Sequence, residues 1–179
     1  MPAIMNDMLS LIQPLIPALR RYARALLRDR SAADDLVQDC LERAISRWHQ
    51  RRADADPRTW VFTILHNLAM TRLRRTASRA RHIAIEDAQE NMFALAPSQE
   101  HGLRYRELLQ ALSRLPEEQK TVLLLATVEE LSYAETAKVL DIPVGTVMSR
   151  LSRARERLLK EMDGDEKPET AHPHLRRVK

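Results

Sequence analysis

The chain has one cysteine, three glycines, two phenylalanines and no uncharged run long enough to cross a bilayer. Each shortage excludes something. Cys40 alone provides neither a disulfide framework nor a thiolate metal site, and its place on an apolar helical stripe reads as a small buried thiol. A bilayer span needs roughly 18 consecutive apolar residues. The N-terminus carries Met5, Leu9 and Ile12 but neither a basic leader nor a small-residue cleavage site, so the expected compartment is the cytoplasm. Few aromatics and glycines, against abundant Leu, Ala, Arg and Glu, point away from sheets and toward helices. The expected fold class is all-α. At 179 residues the chain suits one ordinary domain or two small ones.

Catalytic signals are missing too. His49, His66, His82, His101, His172 and His174 show no metal or triad spacing, and no phosphate-binding glycine loop or dinucleotide fingerprint occurs. No enzyme, metal or cofactor is expected.

What is present is charge and helical periodicity. Lys and Arg number 29 against 25 Asp and Glu, a formal net charge of +4. Residues 1–76 carry 13 basic and 8 acidic side chains, whereas residues 77–103 carry 2 and 4. Local basic clusters of this kind suit a polyanionic partner.

Leu15, Leu19, Tyr22 and Leu26 recur at helical spacing, with Pro17 in the first turn. Ser31 is a candidate cap for the next helix, with Asp34 and Asp35 in its first turn. The stripe of that helix runs through Leu36, Val37, Cys40, Leu41, Ala44, Ile45 and Trp48, and Asp35, Gln38, Asp39 and Glu42 fall opposite it. A polar stretch from His49 to Asp56 reads as a loop. Asp56-Pro57 then starts a helix through Trp60, Val61, Ile64, Leu65, Leu68 and Leu73 that ends in Arg72, Arg74 and Arg75. Residues 77–103 lose this periodicity and read as a mobile linker. Beyond it, Leu108, Leu109, Leu112 and Leu115 form one stripe, and Pro116 starts a helix through Val122, Leu124 and Leu125. Ser132 and Glu135 have the spacing of a capping box. Asp141-Ile142-Pro143 breaks that helix, and Thr146 is a candidate cap for a last one with Val147, Leu151, Ala154 and Leu158 inside. From Met162 the chain reads as a polar tail.

The stretch LSYAETAKVLDIPVGTVMSRLSRARER (131–157) therefore reads as a short helix, a tight turn and a longer basic helix. That is helix-turn-helix spacing, in which the second helix enters the DNA major groove. Ser149, Ser152 and Arg153 fall where side chains reach base edges, and Arg150, Arg155 and Arg157 are better placed for phosphates.

The stretch LPEEQKTVLLLATVEELSYAETAKVLDIPVGTVMSRLSRARERL resembles region 4 of bacterial RNA polymerase sigma factors, in particular the extracytoplasmic-function (ECF, group IV) class. DDLVQDCLERA resembles the segment of sigma region 2 that binds core polymerase, and RTWVFTILHNLAMTRLRR the segment that recognises and melts the −10 element. The resemblance covers about residues 7–76 and 104–161. It implies a region 2 helical bundle (1–76), a flexible linker (77–103), a region 4 helix-turn-helix domain (104–161) and a tail (162–179). It further implies that Asp35, Gln38, Asp39 and Glu42 dock core RNA polymerase. Asn67, Trp60, Arg72, Arg74 and Arg75 would serve the −10 element, with the 49–56 loop as a pocket for an unstacked base. Ser149, Arg150, Ser152, Arg153 and Arg155 would serve the −35 element. Met148 departs from the pattern, since many relatives carry Lys or Arg there. The implied partners are core RNA polymerase, promoter DNA and an anti-sigma factor, with stress-response genes as targets. Two rivals are a regulator that binds DNA without polymerase and a sigma-like decoy that sequesters an anti-sigma factor.

Overall fold

The computed structural model describes residues 8–52, 54–82 and 99–163, and all regular structure among them is helical. The middle of the expected linker, the tail beyond residue 163 and Met5 lie outside the described residues.

A helical turn at 8–12 and a 3-10 turn (Gln13–Leu15) lead into α1 (Ile16–Leu27), which buries Leu19, Tyr22, Ala23 and Leu26. Arg28 adopts a left-handed conformation (φ 58°) and ends the helix. The chain then turns straight into α2 (Arg30–Ser46). Its cap is Asp29 rather than Ser31: the Asp29 carboxylate accepts from the Ala32 amide at 2.8 Å. The left-handed residue before it starts the helix early and puts Ser31 inside the first turn. Ala33, Leu36, Val37, Cys40 and Ala44 face inward, and a 3-10 turn (Trp48–Gln50) follows.

Helix α3 (Pro57–His82) starts as expected, with the Asp56 carboxylate accepting from the Thr59 amide (2.7 Å) and hydroxyl (2.8 Å). These bonds hold the Asp56 carboxyl below its ordinary range, against the opposing effect of burial. Val61, Phe62, Leu65 and Ala69 are buried. The Phe62 ring meets Tyr22 edge-on at 5.7 Å, and the Tyr22 hydroxyl lies 3.0 Å from His66 Nδ1. Burial lowers the His66 pKa to about 4, so a neutral imidazole sits in this core. The Cys40 thiol donates to the Val61 carbonyl at 3.6 Å, and burial pushes its pKa up to about 12. The helix continues past residue 76, because the Thr76–His82 segment contains no breaker and helix propagation needs no apolar face once nucleated.

The second domain holds α4 (Gln99–Arg114), α5 (Glu117–Leu123), a single π-helical turn (Leu124–Val128), α6 (Tyr133–Leu140) and α7 (Val144–Asp163). The Ser132–Glu135 capping box is complete. Asp141, left-handed at φ 52°, ends α6. Helix α7 begins at Val144, two residues before the expected Thr146 cap. Pro143 directly precedes it, and the Pro143 carbonyl accepts from the Thr146 (2.9 Å) and Val147 (3.2 Å) amides. Leu115, Val122, Leu123, Ala137, Val147, Leu151 and Ala154 make this domain's core. Burial of some seven such side chains supplies on the order of 10 kcal/mol before conformational entropy is counted.

The two domains also share a core. Leu124, Leu125, Leu131 and Val139 are buried in one cluster with Leu19, Tyr22, Phe62 and Leu65, and α6 packs against α3.

Candidate polymerase and nucleic-acid interfaces

Burying Leu36, Val37 and Cys40 against α1 and α3 turns the opposite face of α2 outward. That face presents Asp35, Gln38, Asp39 and Glu42, all exposed. Gln38 donates to Glu42 at 3.3 Å, and Asp35 sits 3.9 Å from Arg72. Asp34, one position away, is engaged by Arg24 at 3.1 Å and Arg20 at 3.8 Å. The result is an acidic strip that runs from Asp35 to Glu42, with arginines of α1 and α3 at its N-terminal end.

On α3, Trp60, Asn67 and Arg74 recur every seven residues, so they lie along one face spanning about 21 Å. Asn67 is exposed and free to present its amide, which offers both donor and acceptor. Trp60 is half-buried and meets Trp48 edge-on at 5.8 Å, while the Arg51 guanidinium lies over the Trp48 ring at 4.7 Å. Arg51 also donates to the carbonyls of Arg52 (3.2 Å) and Ala55. The 49–56 loop is thereby fastened to an aromatic base at the start of α3. Trp48 was expected only as the end of the α2 stripe and Arg51 only within the polar loop; Trp48 instead sits in the 3-10 turn after α2, and a tryptophan twelve residues before another is a signal that two aromatics could meet across a loop.

The basic end of α3 divides. Arg72 donates to the Ala32 carbonyl at 3.1 Å and faces Asp35, which ties α3 to the start of α2. Arg74 folds back on the Met70 carbonyl at 3.2 Å, and Arg75 is exposed. The first of the three is thus a structural bridge in this arrangement, and the other two remain open to a phosphate chain.

Helix α7 presents Ser149, Ser152, Arg153, Arg155 and Arg157 outward because Val147, Leu151, Ala154 and Leu158 turn inward. Arg153 lies along the helix, donating to the Ser149 carbonyl at 3.2 Å and reaching its hydroxyl at 3.4 Å. Arg150 differs. Its guanidinium pairs with Glu118 at 2.7 Å and the side chain is only 23% exposed, so it braces α7 against α5. Met148, 54% exposed, stands on the flank of the outward face beside Val144. Glu156 is drawn below its ordinary carboxylate range by Lys160 at 2.8 Å. No group of His, Cys, Asp and Glu suited to a metal ion, and no helix long and apolar enough to cross a membrane, occurs among the described residues.

The chain thus carries a helix-turn-helix with a basic outer helix in one domain and an exposed acidic strip on α2 in the other. Comparison with known proteins makes this specific. Residues 12–66 match the family described as the Sigma2 domain of PhyR, and residues 105–158 match Sigma-70, region 4. The chain is 35% identical to ECF RNA polymerase sigma factor EcfG of Rhodopseudomonas palustris over 146 residues, covering 80% of this chain and 78% of that one. It is 32% identical to ECF RNA polymerase sigma factor SigC of Mycobacterium tuberculosis, covering 79% and 76%. Its fold superimposes on sigma factor RpoE, solved with anti-sigma factor NepR from Bartonella quintana, at a TM-score of 0.76 and 29% identity, covering 89% of this chain and 98% of RpoE. The chain belongs to the ECF RNA polymerase sigma factors. Such proteins are not enzymes; they bind core RNA polymerase and promoter DNA to start transcription.

Proposed function

We propose that this chain is a group IV sigma factor that works in the cytoplasm, melts promoter DNA and answers to an anti-sigma factor of the NepR kind. The observation that carries the reading is the pairing, on one chain, of an exposed acidic strip on α2 with two separate helices that expose arginines, α3 and α7. Asp35, Gln38, Asp39 and Glu42 dock the polymerase. Ser149, Ser152 and Arg153 read the −35 element in the major groove, and Arg155 holds its phosphates. Arg150 serves that element indirectly by fixing the pose of α7. Asn67 reads a −10 base, Trp60 lies at the root of the loop that accepts an unstacked base, and Arg74 and Arg75 hold phosphates, with Arg72 setting the angle of α3. Unstacking a base costs a few kcal/mol, and a preformed pocket offsets it. Melting then uses binding energy, with no hydrolysis.

The target genes are those of a stress response, as the resemblance to the ECF class implies. The likeness of the first domain to a domain of PhyR, which is described as an anti-anti-sigma factor in its complex with NepR, favours one second reading, a decoy that titrates an anti-sigma factor. Permanganate footprinting separates the two. Sigma-free core polymerase plus this chain should expose unpaired thymines around the −10 element of a bound promoter. A chain that binds core but leaves every thymine protected contradicts the melting role, and one that binds only an anti-sigma factor favours the decoy.

A further inference from the structure

Three residues at the start of α7 are not explained by the fold. Val144 and Met148 are 42% and 54% exposed, and neither belongs to the apolar core beneath the helix. Single exposed apolar side chains are ordinary. These two are four residues apart, so they stand side by side along one flank of the helix. The third residue is Gly145. It has no positive φ, so the backbone does not call for glycine there, and a Cβ built on it would meet nothing within 4 Å. Glycine in the first turn of a helix also forgoes the better helix propensity of alanine. A position that neither backbone conformation nor internal packing reserves for glycine suits the close approach of something from outside. Gly145 is three residues before Met148, which puts the bare backbone on the same side as the apolar pair.

The chemistry that fits this flank is narrow. In a helix-turn-helix the N-terminal part of the second helix lies against base edges in the major groove. The polar side chains of this part are partly engaged within the helix itself: the Ser149 hydroxyl donates to the Thr146 carbonyl at 3.1 Å, and Arg153 to the Ser149 carbonyl at 3.2 Å. Met148 is four residues before Ser152 and so borders that exposed hydroxyl. Among the groups that base pairs present in the major groove, one is apolar, the thymine 5-methyl. An unbranched, flexible thioether can adjust to meet such a methyl. Exposed Arg153, Arg155 and Arg157 continue along the same helix and suit phosphates, which favours DNA over an apolar protein surface as the partner of the pair.

We propose that Met148, flanked by Val144, reads a thymine 5-methyl group of the −35 element, and that Gly145 keeps the first turn of α7 bare so that the base edge can come that close. The proposal rests on the sigma reading above and deepens it, because it names the base where Ser149, Ser152 and Arg153 supply hydrogen bonds. The −35 element then carries an A·T pair at the step facing Met148, and the preference there is for a methyl group rather than for a hydrogen-bonding pattern. Burial of one methyl is worth about fourfold in affinity.

The test uses the full chain with sigma-free core polymerase on a promoter recovered from genomic fragments. Each thymine of the −35 element, on either strand, is replaced in turn by deoxyuridine, which removes the methyl and keeps the pairing. The unmodified chain should lose about fourfold in affinity at one such position. Met148→Ala should make that same replacement silent, whereas Met148→Leu, which keeps a large apolar side chain, should restore the sensitivity. Gly145→Ala should leave the melting temperature unchanged or raise it, yet weaken promoter binding several-fold. Indifference of the unmodified chain to every replacement, a −35 element without thymine on either strand, or a methyl effect undiminished in Met148→Ala overturns the proposal. Unchanged promoter binding by Gly145→Ala overturns the close approach. If core and chain together recover no promoter, the sigma reading fails instead. Duplexes selected by the full chain alone from a random library then take the same replacements and decide the methyl contact, and a chain that selects none overturns it.

Discussion

Reversing the charge of Asp39 and Glu42 together should separate binding from folding. Both side chains point to solvent from α2, opposite the buried stripe of Leu36, Val37 and Cys40. The one contact at risk within the chain is the 3.3 Å bond from Gln38 to Glu42. Surface changes of this kind alter stability by about 0.5 kcal/mol or less. Across an interface the arithmetic differs. Losing an exposed ion pair costs up to about 1 kcal/mol, and replacing attraction by repulsion about doubles that. Two sites therefore total about 4 kcal/mol, close to a thousandfold in Kd. Asp39→Lys/Glu42→Lys should be titrated against labelled, sigma-free core polymerase at about 0.1 M salt, beside a thermal melt. Raising salt to about 1 M shortens the screening length from about 10 Å to about 3 Å and should erase most of the difference. A Kd within threefold of the unmodified chain would refute the docking assignment, as would a loss explained by a lowered melting temperature.

Replacing Arg153 by Ala should impair binding to the cognate −35 duplex by about 1–3 kcal/mol and relax preference at one base pair; an equal loss on every duplex would make Arg153 a phosphate contact. Met148→Arg should strengthen binding to all duplexes and steepen the salt dependence by about one unit of slope, measurable by fluorescence anisotropy. The unfolded His66 takes up its proton near pH 6.5, but the folded one only near pH 4. Stability held above pH 6.5 should therefore fall by about 3 kcal/mol as pH drops through that window, and His66→Gln should flatten this part of the denaturation profile. Cys40, with its thiol pushed up to about 12 and buried, should react with a thiol reagent only once denaturant unfolds the first domain.

Helix existence and facing were legible because they depend on local periodicity. The stripes of Leu19–Leu26, Leu36–Ala44 and Val147–Leu158 are core, and the Asp56 and Ser132 caps form as their spacing demands. Where two cap candidates competed, the backbone around them decided. Asp29 outranks Ser31 because left-handed Arg28 precedes it, and Pro143 starts α7 ahead of Thr146. Long basic side chains were least legible, since a sequence does not say which way a guanidinium turns. Arg150 and Arg72 reach Glu118 and Ala32 within the chain and the Ser149 hydroxyl donates to the Thr146 carbonyl, whereas Ser152 and Arg155 are exposed. The shared core was hidden for another reason. Leu124, Leu125, Leu131 and Val139 satisfy the pattern of a self-contained domain equally well, yet they are buried in one cluster with residues of α1 and α3.

A sigma factor gives core polymerase its choice of promoter, so start-site selection by core should depend on this chain. The direct measurement mixes purified chain, sigma-free core and a library of genomic fragments, then maps RNA 5′ ends. Discrete start sites are expected, each preceded by the same pair of elements near −35 and −10, and they should disappear when the chain is omitted. Transcripts that start only at fragment ends, with or without the chain, would contradict it.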